Sequence, residues 1–209
     1  MISYNAWASS QRERFSRRRR SKTQMRTFVA IPLPPQCRAL LDAIQTELRR
    51  SAAEVRWTAI TSIHLTLKFL GEIDPAVVPR LADALRAEAA CDPPFSLRLH
   101  GLGSFPGLRD PRVIWCGLEG ETDRLGALQS KVERACQGLG FASEEHPFHP
   151  HLTLGRVRGK RNLHRLVEYI RIGSDLECDF SVDHFHIYKS TLTPRGAVYD
   201  ILEKIDLHG

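Results

Sequence analysis

Apolar and polar residues alternate along this chain in a way that marks its elements. The continuous apolar run "RTFVAIPLP", closed by prolines, has the pattern of a buried strand. In "PQCRALLDAIQTELRRSA", Leu40, Leu41, Ile44 and Leu48 recur at helical spacing, which predicts an amphipathic helix. "EVRWT" reads as a short strand. "IHLTLKFLG" alternates and is expected to stop at Gly71. Asp74 and Pro75 supply an N-cap and a first-turn proline for a helix through "DPAVVPRLADALRAEAA". Two strands, "PFSLRLHGLGSF" and "PRVIWCGLEG", flank a Pro/Gly-rich loop, and the helix "ETDRLGALQSKVERACQGLG" ends in glycines. The strand "HPHLTLGRV" and the short helix "NLHRLVEYIRI" come next. A strand pair, "CDFSVDHFHIYKS" and "AVYDILEKIDL", closes the chain as a hairpin across "TLTPRG".

The second half of this pattern repeats the first. "RTFVAIPL" at Arg26 matches "RVIWCGLE" at Arg112, an offset of 86. The tetrad HLTL occurs at His64 and at His151, an offset of 87, and "FSLRLH" at Phe95 matches "FSVDHF" at Phe180, an offset of 85. Each half reads strand, helix, tetrad strand, helix, strand. Three landmarks at one spacing imply an internal duplication. The expected fold is α+β: two antiparallel-sheet lobes with outer helices, interwoven within residues 25–209 and related by a pseudo-two-fold around a central cleft.

Strand geometry gives the tetrads their chemistry. Alternate side chains share a face, so His64 and Thr66 point one way and Leu65 and Leu67 the other. The same holds for His151 and Thr153 against Leu152 and Leu154. With the leucines buried, each lobe offers one imidazole and one hydroxyl to the cleft. In-line displacement at a phosphodiester needs a base on the attacking oxygen and an acid on the leaving oxygen, on opposite sides of phosphorus. Histidine titrates near neutrality and can serve as either. The threonine hydroxyls can stabilise charge on the non-bridging oxygens. The scheme calls for no metal or other cofactor, and symmetry leaves the acid and base roles of the two histidines interchangeable. A different grouping, His146, His149 and His151 with His64, would suit zinc. His100, His164, His184, His186 and His208 have no symmetric partner and read as structural or surface residues.

Charge changes the picture only when divided by region. The net charge is +6, but residues 1–24 hold seven of the 30 basic residues and one of the 24 acidic ones. The remainder is balanced, so nucleic-acid binding by the body must be local. Residues 1–24 read as a disordered basic extension whose "RRRR" can contact phosphates non-specifically. Five scattered cysteines with no CxxC pair suit free, mostly buried thiols in a reducing cytoplasm. No apolar run approaches the roughly 20 residues that span a bilayer, so no membrane partner is expected.

The two tetrads, with "RTFVAIPLP", the stretch from Trp57 to "HLTLKFLGE", "RVIWCGL", "PHLTLGR" and "STLTPRGAVYDIL", resemble the 2H phosphoesterase superfamily. The finer likeness is to its RNA 2′,3′-cyclic phosphodiesterases, also called 2′-5′ RNA ligases, and it runs from Met25 to the end. The resemblance implies tetrads facing across a groove and metal-independent hydrolysis of RNA 2′,3′-cyclic phosphate ends to 2′-phosphates. In that case His64 is the general acid, His151 the general base, and Thr66 and Thr153 hold the phosphate. It also implies reverse 2′-5′ joining of tRNA-like halves, and a monomer is expected. The same fold acting on small cyclic nucleotides, such as ADP-ribose cyclic phosphate, is the alternative. Arg156, three past Thr153 where similar proteins also carry arginine, is a candidate for offsetting phosphate charge. Its parity opposes His151 unless the strand bends at Gly155, whereas Lys68 has the correct parity in the first copy. Phe69, Phe148 and Tyr199 are candidates for stacking on a base.

Overall fold

The computed structural model describes residues 24–173, 177–194 and 196–208. The expected disordered extension lies, but for Gln24, outside the described residues. The opening apolar run forms β1 (Met25–Ile31), followed by α1 (Pro35–Arg49) and β2 (Val55–Trp57). A 3₁₀ turn at Ile60–Ser62 leads into β3 (Leu65–Ile73), and a second at Pro75–Val77 leads into α2 (Val78–Ala89). Next come β4 (Phe95–Phe105), β5 (Val113–Gly120), α3 (Thr122–Gly138), β6 (Leu152–Val157) and α4 (Leu163–Ile172). The chain closes with β7 (Cys178–Val182), β8 (His184–Thr193) and β9 (Gly196–Asp206).

The strands form two antiparallel sheets, β3-β1-β8-β9 and β2-β6-β5-β4-β7. In each sheet a tetrad strand pairs with the opening strand of its own half, β3 on β1 and β6 on β5. The third strand comes from the other half: β8 joins β1, and β4 joins β5. The helices cross over too. α2 and α3 pack on each other and on β9 and β3, while α1 and α4 pack on each other and on β7 and β4. Apolar stripes of the helices and one face of each sheet merge into a contiguous core that includes Leu41, Leu65, Leu81, Leu125, Leu152 and Phe185. Among the described residues no helix is long and apolar enough to cross a membrane.

Three sequence expectations need correction. The terminal stretch "CDFSVDHFHIYKS" is two strands rather than one. It breaks at Asp183, so that β7 finishes one sheet and β8 enters the other. Gly71 does not end β3. Its φ of +72° accommodates an irregularity in the β1–β3 ladder, and pairing continues to Ile73 opposite Met25. Asp74 caps the 3₁₀ turn, accepting from the Ala76 amide at 3.1 Å, rather than the helix beyond it.

A bulge follows the tetrad histidine and threonine in both copies. Thr66 pairs with Ala30 and Lys68 with Val29, so Leu67 is the extra residue. Likewise Thr153 pairs with Trp115 and Gly155 with Ile114, so Leu154 is extra. A bulge puts two successive side chains on nearly the same face and reverses the alternation beyond it. Lys68 therefore does not keep the parity read from sequence. It is buried, 2.8 Å from Glu133 and 3.8 Å from Glu144, and it donates to the Ala142 carbonyl at 3.0 Å. Burial pushes the Glu133 carboxyl up, but hydrogen bonds from Lys68, Gln137 and the Glu144 amide outweigh it and leave it below the ordinary range.

The thiols follow the expectation of burial for Cys37, Cys116 and Cys136, whereas Cys91 is exposed and Cys178 half-buried beside Cys37. Burial raises the Cys37 thiol well above its ordinary value and pushes Cys116 and Cys136 up to about 12, which makes them poor nucleophiles.

Lys68→Met is expected to leave Glu133 without its cation and to lower folding stability by about 3 kcal/mol in chemical denaturation. Turnover per folded molecule is expected to stay within about twofold, as suits a residue on the core side of the sheet. A large loss of turnover with unchanged stability would contradict this placement.

Candidate active site

Each tetrad histidine stands just before its strand and is fixed in the same manner. His64 Nδ1 lies 2.9 Å from the Ser62 carbonyl, and His151 Nδ1 lies 2.7 Å from the His149 carbonyl. A carbonyl only accepts, so Nδ1 carries the hydrogen in both rings. In the neutral form Nε2 then presents a lone pair, and in the protonated form an N–H. Two side chains on matching strands are thus set as two proton carriers with the same nitrogen free.

Their surroundings differ. His64 stacks on Phe28, centroids 4.5 Å apart, and meets the edge of Tyr199 at 5.1 Å. Tyr188 lies 6.1 Å away on the same face. Burial among these rings lowers the His64 pKa to about 4, partly opposed by the Ser62 hydrogen bond. Among the described residues, the ring that His151 meets is Phe105, edge-on at 5.0 Å. Thr66 and Thr153 are half-buried on the faces that carry their histidines, as the alternation requires.

The bulge at Leu154 decides the fate of Arg156. It supplies the bend that the parity argument demanded, and Arg156 is exposed on the face of His151 and Thr153. The equivalent position beyond the first bulge is Phe69, also exposed, with the Arg26 guanidinium 4.7 Å above its ring. Arg156 and Tyr199 both line a cavity of about 550 Å³ between the sheets. Ser62, whose carbonyl holds His64, lines it as well. Neither tetrad histidine lines the cavity; it opens beside them and runs toward α1 and β2. Arg156 also acts electrostatically on the Tyr199 hydroxyl, whose pKa is raised by burial and eased by Arg26 and Arg156. Residues adjoining both tetrads therefore meet at one opening.

Of the three candidate stacking residues, Tyr199 lines this cavity, whereas Phe148 packs against the core. The metal grouping is not assembled: among the described residues, no three His, Cys, Asp or Glu side chains converge to hold an ion. His186 is buried rather than superficial, with Nδ1 2.9 Å from the Tyr188 hydroxyl. Sequence reasoning missed Phe28 and Tyr188, which wall in His64, and the far side of the cavity. There Arg49 lies over Trp57 at 5.0 Å and donates to Gln45. Gln45 is itself buried, donating to the Thr58 and Leu154 carbonyls at 2.8 and 2.9 Å. A glutamine in the apolar stripe of α1 was the available signal, since a buried amide must find partners.

Comparison with known proteins agrees with this architecture. The model of the 2′-5′ RNA ligase superfamily matches residues 32–193. A Thermotoga maritima protein named RNA 2′,3′-cyclic phosphodiesterase is 35% identical over 88% of this chain and 97% of its own length. A protein of the same name from Methanothermobacter thermautotrophicus is 32% identical over 86% of this chain and 97% of its own. A Thermus thermophilus crystal structure superposes with a TM-score of 0.76 at 30% identity, covering 88% of this chain and 99% of that one. Escherichia coli LigT complexed with 3′-AMP superposes with a TM-score of 0.65 at 27% identity, covering 89% and 99%. Two tetrads on matched strands, a shared fold and relatives aligned along nearly their whole length lead to one conclusion: the chain belongs to the 2′-5′ RNA ligase superfamily.

Proposed function

We propose that this protein hydrolyses RNA 2′,3′-cyclic phosphate ends to 2′-phosphates, with His64 and His151 as its two proton carriers. The observation that carries the reading is the matched pinning of both imidazoles through Nδ1, which leaves both Nε2 atoms for the reaction. The names of its relatives supply the substrate class. In this reading His151 takes a proton from water through Nε2 as the water oxygen attacks phosphorus. The bond from phosphorus to the 3′ oxygen breaks, and His64 delivers a proton to that oxygen. Thr66 and Thr153 donate to the non-bridging oxygens, and Arg156 offsets their charge. The same step, with a 5′-hydroxyl in place of water, gives the 2′-5′ linkage. The protein works as a cytoplasmic monomer in this account, on RNA 3′ ends such as those of tRNA-like halves.

The burial of His64 adds a condition. With a pKa of about 4 it is neutral in the free protein near pH 7 and cannot act as an acid. Its neighbours Phe28, Tyr188 and Tyr199 bring no carboxylate to hold a proton there. An arriving phosphate anion supplies that charge, so substrate binding and protonation of His64 are coupled.

His64→Ala and His151→Ala are each expected to lower kcat/KM for a 2′,3′-cyclic phosphate oligonucleotide by roughly 10²–10⁴-fold, as single acid or base losses. Full activity in either variant would end the two-histidine account. Sulfate keeps its charge between pH 5 and 8 and serves as a probe of the proton coupling. Protonation of His64 favours the bound state, so the rise in Tm given by sulfate is expected to shrink as pH increases across that range. The dependence should be markedly flatter in His64→Gln, and an unchanged slope would argue against coupling at His64.

A further inference from the structure

The cavity beside the tetrads is lined by four arginines and one acidic residue. Several arginines elsewhere are met by carboxylates: Arg86 by Glu203, Arg98 by Asp179, Arg134 by Glu88 and Arg161 by Glu54. Arg49, Arg56, Arg156 and Arg158 all line the cavity, and Asp42 is the acidic residue among its lining. Among the described residues, none of the four arginines has a carboxylate within ion-pair distance. Two of them are direct cross-strand partners, Arg56 on β2 and Arg156 on β6. Like charges opposite each other on a sheet face destabilise it. Arg158 follows just past the end of β6, where its amide still bonds the Glu54 carbonyl at 2.7 Å.

The packing beneath holds this arrangement in place. β2 lies so close on β6 that a Cβ at Gly155 would come within 2.7 Å of Val55 and 3.1 Å of Trp57. The Trp57 ring packs against β6 at Gly155 and is covered by the Arg49 guanidinium. Arg49 is tied through Gln45 to the backbone of both strands. Arginines set on a rigid floor, unpaired and mutually repelling, form a surface complementary to a chain of negative charges.

We propose that this cavity is a subsite for the RNA backbone upstream of the reacting end, with Arg56 and Arg158, supported by Arg49, engaging phosphodiesters on the 5′ side of the terminal nucleotide. The inference rests on the proposed activity and sharpens it. A substrate ending in a cyclic phosphate continues only in the 5′ direction, and the cavity that adjoins the tetrads is lined by β2 and α1 on the side of the arginines and by the β8–β9 turn on the other. A cyclic mononucleotide without a 5′ phosphate, such as 2′,3′-cyclic AMP, has no charge to place there. The enzyme is therefore built for oligonucleotide ends over cyclic mononucleotides that lack 5′-side phosphates, and the selectivity resides in residues outside the tetrads.

The test compares 2′,3′-cyclic AMP with di- and trinucleotides ending in the same cyclic nucleotide, using the full chain, wild type and the Arg56→Gln/Arg158→Gln double variant. In the wild type, kcat/KM should rise by about tenfold or more from mono- to trinucleotide. The advantage should fall with salt, with a log–log slope near −0.7 for each phosphate engaged. The double variant should lose most of the advantage while hydrolysing 2′,3′-cyclic AMP at the wild-type rate. Replacing the upstream linkages of the trinucleotide with uncharged methylphosphonates should have the same effect on the wild type. Equal rates for all lengths in the wild type, or an equal loss on every substrate in the variant, would overturn the subsite. Anisotropy of labelled mono- and trinucleotides bearing a 2′-phosphate tests it without turnover. Length-dependent binding that the variant abolishes supports the subsite even if no substrate is cleaved, and in that outcome it is the proposed activity that fails.

Discussion

The single extra residue that closes each tetrad governs where the later side chains of its strand point. In an unbulged strand, Arg156 would face the core and Lys68 the cleft. With Leu67 and Leu154 inserted, the lysine goes inside and the arginine outside. The core accepts the lysine because Glu133 on α3 is waiting for it. The second copy avoids the question by placing Gly155 at the same point, which also lets β2 lie close against β6. One backbone device, used twice with different residues, thus builds a structural ion pair in one sheet and part of an exposed cationic surface in the other.

Most of the fold was legible in the sequence because its elements are strongly patterned and carry their own punctuation. The tetrads were legible for another reason: His-x-Thr is fixed by two-residue alternation over a distance too short for any irregularity to intervene. Legibility ended where the ladder departs from ideal pairing. Nothing local in "HLTLKFLGE" says that Leu67 is surplus, because a bulge is defined by the partner strand as much as by its own. The break at Asp183 escaped for the same reason, since a long run of strand-like pattern does not say that its ends join different sheets. Trp57 and Gln45 look ordinary in sequence and gain meaning only from the α1–β2–β6 contact.

The charge distribution shows the same division between composition and placement. A balanced body gives no hint of nucleic-acid chemistry when averaged. The structure pairs several outer-surface arginines with acids, and among the described residues it gathers four arginines without a carboxylate partner at one opening. A local excess within a neutral whole keeps long-range attraction modest while retaining strong contacts at short range.

The exchange of strands between the halves also sets an order in time. β1 pairs with β3, close in sequence, but its other edge is covered only by β8, which lies about as far along the chain as the fold allows. During synthesis β4, β5 and β6 can assemble soon after they emerge, whereas the sheet carrying His64 keeps an open edge until the last hairpin arrives. Long-range closure of this kind slows folding and exposes the waiting edge to other chains. The nascent protein therefore completes the surroundings of its first histidine last, and a chain stalled before β8 would carry both tetrads without a finished site.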